Sequence, residues 1–412
     1  MRQTLYRQIY LSLLTLLFLS SCGNAQQTEA TYFTDVMATH VPQDADAHAL
    51  DVAFADVDED GDLDVILALE ADANRLYLND GGGKLDWKKE VFDTAKHDTE
   101  HVRIADFDGD GHADVVFVAE DDQQHEYYLG NGDGSFSNVS DRLLAKSEGN
   151  GLDVGDVNGD GLPDIVVGNS GVSGQNFLWI NDESRPGYFV DRTKESLPQV
   201  NDATQSIKLA DLNGDGSLDM LVGNEVPPNR LLINDSEGNF TEAAEQLDLP
   251  VPLHTREVFT FDAEGDGDQD VVFANLTSNG GERDKDPRTR ILINDGKANF
   301  TDETQTRMPE NKFSTYAAAP IDIDHDGYMD LLLSAIAIPP FEALQVRAYK
   351  NDGKGMYTNV TQQFIPAETV GRSWGIAIGD LNGDGMDDAF IGGWGSQARL
   401  LLSKNVRSHS KD

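Results

Sequence analysis

Seven nine-residue segments of this chain place oxygen-bearing side chains at positions one, three, five and nine and a glycine at position six. They read DVDEDGDLD from Asp56, DFDGDGHAD from Asp106, DVNGDGLPD from Asp156 and DLNGDGSLD from Asp211. The other three are DAEGDGDQD from Asp262, DIDHDGYMD from Asp322 and DLNGDGMDD from Asp380. Carboxylates this close together repel one another unless a cation neutralises them. Oxygen donors around a sharp glycine turn suit calcium, which tolerates an irregular shell, better than magnesium, which demands a tight octahedron. No cluster of His or Cys accompanies the segments, which disfavours zinc or a redox metal.

The candidate ligands follow position by position, with the backbone carbonyl of position seven added to four side chains. In the first loop they are Asp56, Asp58, Asp60 and Asp64 with the carbonyl of Asp62, and in the second Asp106, Asp108, Asp110 and Asp114 with that of His112. The third offers Asp156, Asn158, Asp160 and Asp164 with Leu162; the fourth Asp211, Asn213, Asp215 and Asp219 with Ser217. The fifth offers Asp262, Glu264, Asp266 and Asp270 with Asp268. The sixth has Asp322, Asp324, Asp326 and Asp330 with Tyr328, and the seventh Asp380, Asn382, Asp384 and Asp388 with Met386. Asn at position three lowers the charge of the third, fourth and seventh loops and should weaken them, while Glu264 should shift the ion or admit a water. The rings of His112 and His325 fall at non-ligand positions. An EF-hand would need a bidentate Glu at position twelve between helices, but that position is apolar here, as at Leu67 and Val167.

The elements that must hold these loops repeat with them, at a period of 50 to 60 residues. A short strand precedes each loop, and an apolar, β-branched run such as Val115-Val116-Phe117-Val118 follows it. An alternating strand then ends in a turn such as Asn79-Asp80-Gly81 or Asn294-Asp295-Gly296, and a fourth strand carries an aromatic such as Phe240 or Phe300. Four short strands per period predict a seven-bladed β-propeller with four-stranded antiparallel blades. The seventh unit lacks its fourth strand, and Tyr32-Phe33-Thr34-Asp35-Val36 matches the missing motif, so the expectation is a closed ring latched by the N-terminal strand across residues 32–403.

The 73 acidic against 31 basic residues, a net charge of −42, exclude nucleic acid as a natural partner. Arg2, Arg7 and the apolar run from Ile9 read as an export signal over 1–21, too short to span a bilayer. Leu19-Ser20-Ser21-Cys22-Gly23 resembles a bacterial lipobox, which would lipidate Cys22, make 22–31 a tether and leave 404–412 as a polar tail. Lipid-anchored residence in the bacterial envelope, at the outer membrane, is the corresponding expectation. Cys22 is the single cysteine, so the exported domain would need cross-ties other than disulfides, and calcium can supply them.

With motif and period in hand, the chain resembles the FG-GAP, or VCBS-type, repeat family, which includes the integrin α head and many exported bacterial proteins. The family's Phe-Gly/Gly-Ala-Pro signature is only echoed, at Gly168-Asn169 and Gly223-Asn224, so a bacterial lipoprotein member is the closer resemblance. It implies up to seven calcium ions on one face and recognition on the opposite one. Function is expected as a binding or adhesion module for a protein or polysaccharide. The alternatives are a lyase-like polysaccharide-degrading enzyme or a scaffold of an envelope complex; no catalytic residue is assigned.

Three places were candidates for recognition. Eight residues before each loop stand His48, Asp98, Glu148, Ala203, His254, Ser314 and Arg372. Two uneven segments, Asn275 to Thr289 with Arg283, Lys285 and Arg288, and Ser334 to Val346 with Pro339-Pro340-Phe341, are longer than their counterparts. Trp374 and Trp394 either stack on a sugar or pack between blades.

Overall fold

The structure, a computed structural model, describes residues 32–404 other than 45, 172–173, 227, 250–251, 277, 280–281, 284–287, 310–312, 338–341 and 372. The expected signal, Cys22 with its tether, and residues 405–412 lie outside the described residues.

Each repeat unit follows one plan. In the fourth, Ala203–Ala210 leads into the loop and Asp219–Val226 leaves it. Arg230–Asn234 and Phe240–Glu242 then complete an antiparallel sheet in which each strand pairs with its sequence neighbour. The β-branched and aromatic run after each loop is buried on both faces, as at Val271, Val272 and Phe273. Buried apolar side chains gather between consecutive units. Leu221, Leu231 and Leu212 of the fourth, for example, pack with Val258, Phe273 and Leu292 of the fifth. Val52, Val65 and Tyr77 of the first pack in the same way with Leu381, Phe390 and Leu400 of the last.

Thr34–Asp35 pairs antiparallel with Leu401 and Leu402, and Asp35 accepts a 2.6 Å hydrogen bond from Arg399. The expected closed ring of seven separate four-stranded blades is nevertheless corrected by the sheet topology. Strand Asp64–Asp72 runs on beyond its partner in the first unit, and Glu70 and Asp72 pair with Asp98 and His97 at the start of His97–Ala105. That extension fuses the strands of the first two units into one eight-stranded sheet. Four sheets of four strands and one of five accompany it, with small two- and three-stranded additions. The result is an all-β, propeller-like fold with one large sheet and five smaller ones. The additions come from the two uneven segments: Ser278–Asn279 pairs with Glu282–Arg283, and Ile336–Ala337 with Glu342–Gln345, which also pairs with Val370–Gly371.

Polar cross-ties join the units at the loop end. The Asn closing a third strand donates through its amide both to its own loop and to the loop of the unit before. Asn234 reaches the carbonyls of Leu218 and Val157, and Asn294 those of Gln269 and Leu212. Asn351 reaches Met329 and Ala263, and Asn79 reaches Leu63 and, in the last unit, Leu381. In the second unit Gly130 stands at this position and the link is instead Gly134 N–H to the Val57 carbonyl. Replacing a buried donor leaves two carbonyls unmet, at about 1–3 kcal/mol. Asn234→Ala should therefore lower the unfolding free energy by about 1–3 kcal/mol in chemical denaturation.

Candidate metal centre

Backbone N–H groups hold three of the four side-chain positions, the first and fifth from within the loop and the ninth from the loop and the third strand. The glycine at position six has φ between 82° and 97°, a region that side chains disfavour. Its N–H points back to the carboxylate of position one, at 3.0 Å for Gly61 to Asp56 and 2.8 Å for Gly161 to Asp156. The fifth-position Asp accepts the N–H of position seven, as Asp110 does from His112 and Asp215 from Ser217. The ninth-position Asp is buried at the start of the second strand. Asp114 receives the N–H groups of Phe107 and Gly130, both at 2.9 Å, and Asp164 those of Val157 and Asn181. The same pair of bonds recurs at Asp64, Asp219, Asp270, Asp330 and Asp388.

Position three distinguishes the loops. In the first, second and sixth it is Asp, and Asp56, Asp58 and Asp64 bring carboxylate oxygens within 4.8 Å of one another, as do Asp106, Asp108 and Asp114, and Asp322, Asp324 and Asp330. One oxygen of Asp58 is buried with no hydrogen-bond partner among the described residues, so the first cluster fits a divalent cation, whereas Asp324 has one such oxygen and its other oxygen meets Lys350. In the third and fourth loops the Asn amide donates to the fifth-position Asp, Asn158 to Asp160 and Asn213 to Asp215, each at 2.9 Å. In the fifth, Glu264 is held at 2.6 Å by Arg307. In the sixth, Lys350 lies on Asp324 and is 3.0 Å from Asp326. The His112 ring contacts Glu59 of the neighbouring loop at 2.5 Å. A carboxylate cluster outside the loops, Asp98, Glu120 and Asp121, has equally close oxygens.

The sequence register that mattered at the core of the structure lies closer to the loops than the residues counted eight back. Five, three and six positions before the loop come Asp51 and His101, Arg103 and Asp153, and Glu100 and Arg256. They form a chain of contacts: His101 to Asp51 at 3.1 Å, Arg103 to Asp51 at 2.7 Å, Lys208 to Asp153 at 3.0 Å and Arg256 to Glu100 at 2.8 Å. Burial raises the Asp51 carboxyl, but Arg103 and His101 overcome it and hold it at about 2. Burial pushes Glu100 and Glu257 up to about 8. Leu50, Asp51, Glu100, His101, Arg256, Tyr316 and Trp374 line one small cavity. The third and fifth positions before the loop share a face because alternate residues do, whereas Glu100 and Arg256, six back, lie at the β-bulges of their strands and follow no such count.

Of the residues counted eight back, His48 meets Glu70 at 3.3 Å and Glu70 pairs with Asp98, so these two are brought near each other. Ser314 is buried in a backbone bridge to Ile336, His254 contacts the Glu225 carbonyl, Glu148 faces Gln123, Ala203 pairs with Val226, and Arg372 lies outside the described residues. Lys285 and 338–341 also lie outside them, and the Arg288 carbonyl accepts from Asn275. Trp374 and Trp394 do not pack between sheets alone: their rings lie 5.4 Å apart, half-buried, with His48 and Tyr316 on either side. No helix among the described residues is long and apolar enough to cross a membrane.

The FG-GAP-like repeat pattern matches residues 56–117, 106–167, 156–222, 211–273, 262–333 and 341–391, the first five matches beginning at a first loop aspartate. Cartilage acidic protein 1 of Xenopus tropicalis is 28% identical over 172 residues, 39% of this chain, and the chain spans about a quarter of that relative's length. Among solved structures, BBS1N in complex with ARL6DN, soaked with lead, superposes with a TM-score of 0.58 at 9% identity, covering 91% of this chain and 98% of that one. The mercury-soaked form gives 0.52 at 10%. These relatives correct the expected kinship with bacterial lipoproteins and integrin heads: the repeat family stands, the lipoprotein membership does not.

Burial, opposed by the two backbone donors and reinforced by neighbouring acids, pushes the ninth-position carboxyls up, Asp114, Asp164 and Asp330 to about 7 and Asp64, Asp219, Asp270 and Asp388 to about 6. A carboxyl raised above its unfolded value stabilises the fold below that value and loses the contribution as pH rises through the folded one. The chelated protein should therefore lose thermal stability from about pH 4 to about pH 7, and calcium should flatten that slope. Melting curves across pH, with and without chelator, measure it.

Proposed function

The chain belongs to the FG-GAP-like repeat family, and we propose that it is a calcium-stabilised, non-catalytic binding module whose propeller-like domain spans 32–403. The observation that carries the reading is the pair of three-carboxylate clusters at Asp56, Asp58, Asp64 and Asp106, Asp108, Asp114. In the first of them Asp58 has one oxygen unpartnered among the described residues. Bound calcium would add positive charge to loops whose third-position acids have only Lys88 and Arg142 nearby. The ligands would be the side chains of positions one, three, five and nine with the carbonyl of position seven.

Recognition is assigned to the end of the sheets away from the loops, where His48, Trp394, Trp374 and Tyr316 form a half-buried row beside Glu70 and Arg256. A protein partner is favoured over a polysaccharide, because a propeller of the same fold is seen in complex with the protein ARL6DN. Aromatic rows with a few fixed charges suit such contacts.

Two measurements test this. Chelation should lower the melting temperature, and Asp58→Ala should remove one calcium ion from the bound count. A site occupied at about 100 times its Kd stabilises by about 2.7 kcal/mol, which sets the expected loss per site. Absence of calcium uptake and of any chelator effect would refute the metal assignment. Trp394→Ala should abolish capture of a protein ligand while leaving the calcium count unchanged.

A further inference from the structure

We propose that Lys350 is the resident cation of the sixth loop, which is thereby neutralised from within the chain and does not take calcium as the first two loops do. The proposal rests on the reading of the loops as calcium sites and says which of them departs from it.

The first observation is one of register. In every third strand the residue before the closing Asn, Gly or Ser is apolar in six units: Leu78, Leu129, Ile180, Ile233, Ile293 and Leu402. Only the sixth unit has Lys350 there, in the strand Arg347–Asn351. The second observation is where the side chain goes. Its ammonium lies on Asp324, the third-position acid, and 3.0 Å from the fifth-position Asp326. These are two of the carboxylates that a metal would need, and Lys350 is largely shielded, with a side-chain exposure of 30%.

A calcium ion would sit about 2.3–2.6 Å from the same oxygens, too close to share them with an ammonium. Binding there would require Lys350 to leave two carboxylates and turn to solvent, and would add a repulsive charge beside the ion. The loops around Asp56 and Asp106 carry the same acids at positions one, three, five and nine but Leu78 and Leu129 in place of the lysine. One side chain thus separates a metal loop from a self-neutralised one. In metal-free conditions the sixth loop keeps its counter-ion while the first two lose theirs.

The test counts calcium ions on the full chain by native mass spectrometry and by titration against a chromophoric chelator. Lys350→Leu, and Lys350→Met with its longer stem, should each bind one more ion than the unsubstituted protein. In excess chelator both variants should melt at a lower temperature than the unsubstituted protein, with calcium restoring them. The converse variant, Leu78→Lys, should bind one ion fewer. Equal, non-zero counts with affinities within twofold across all the proteins would overturn the role of Lys350 and leave the calcium loops standing. No uptake by any of them would overturn the loop reading and this proposal together.

Discussion

The last aspartate of each acidic loop is buried where the second strand begins, and both of its oxygens receive backbone N–H groups. One comes from the second residue of its own loop and the other from the end of the third strand. This double acceptance fixes the loop to the sheet, because an unmet buried carboxylate would cost several kcal/mol. It also explains why Asp stands at position nine while positions three and seven vary. A shorter or neutral side chain could not take both donors. Once these seven anchors are set, the remaining acids of each loop are forced into a small volume and must find positive charge nearby.

The chain answers that demand in more than one way. Where position three is Asn, an amide hydrogen reaches the neighbouring acid. Where it is Glu, a guanidinium from the following helical turn does so. Where it is Asp with an apolar residue opposite, Lys88 and Arg142 act on Asp58 and Asp108 only as nearby charges, and the carboxylates are left for an external cation. Sequence symmetry therefore hides chemical inequality, and the number of ions held is a property of the residues around the loops as much as of the motif. The belt of Asp51, Arg103, Asp153 and Lys208 applies the same rule on the first strands, with each acid matched by a base from the next unit.

The repeat period, the strand-loop-strand plan and the pairing of Thr34–Asp35 with the last strand were legible in sequence, since they follow from periodicity, turn residues and a missing motif. The fusion of the first two units was not. It depends on how far Asp64–Asp72 runs before it bends, and Glu70 and Asp72 carry no pattern that separates a free end from a paired one. The loop acids were legible as a group, but their partners were not: Arg307 and Lys350 come from other strands and helical turns. The buried ion pairs of the first strands carry no motif, and the residues eight positions before each loop fall at the strand ends instead. A single Cys beside an apolar run of sequence says little about the relatives of the domain that follows.

The last sheet takes its outer strand from the opposite end of the domain. Phe33, fully buried, packs with Leu401 and Ile391 there, at a sequence separation of more than three hundred residues. Closing so long a loop has an entropic cost that rises only slowly with length, yet it delays the contact until the final strand exists. During synthesis, then, Thr34–Asp35 waits for Arg399–Leu402, and a chain interrupted before the latter exposes an apolar edge at both ends of the domain. Joining the two ends by a short linker and opening the chain between other units would turn that long-range contact into a local one.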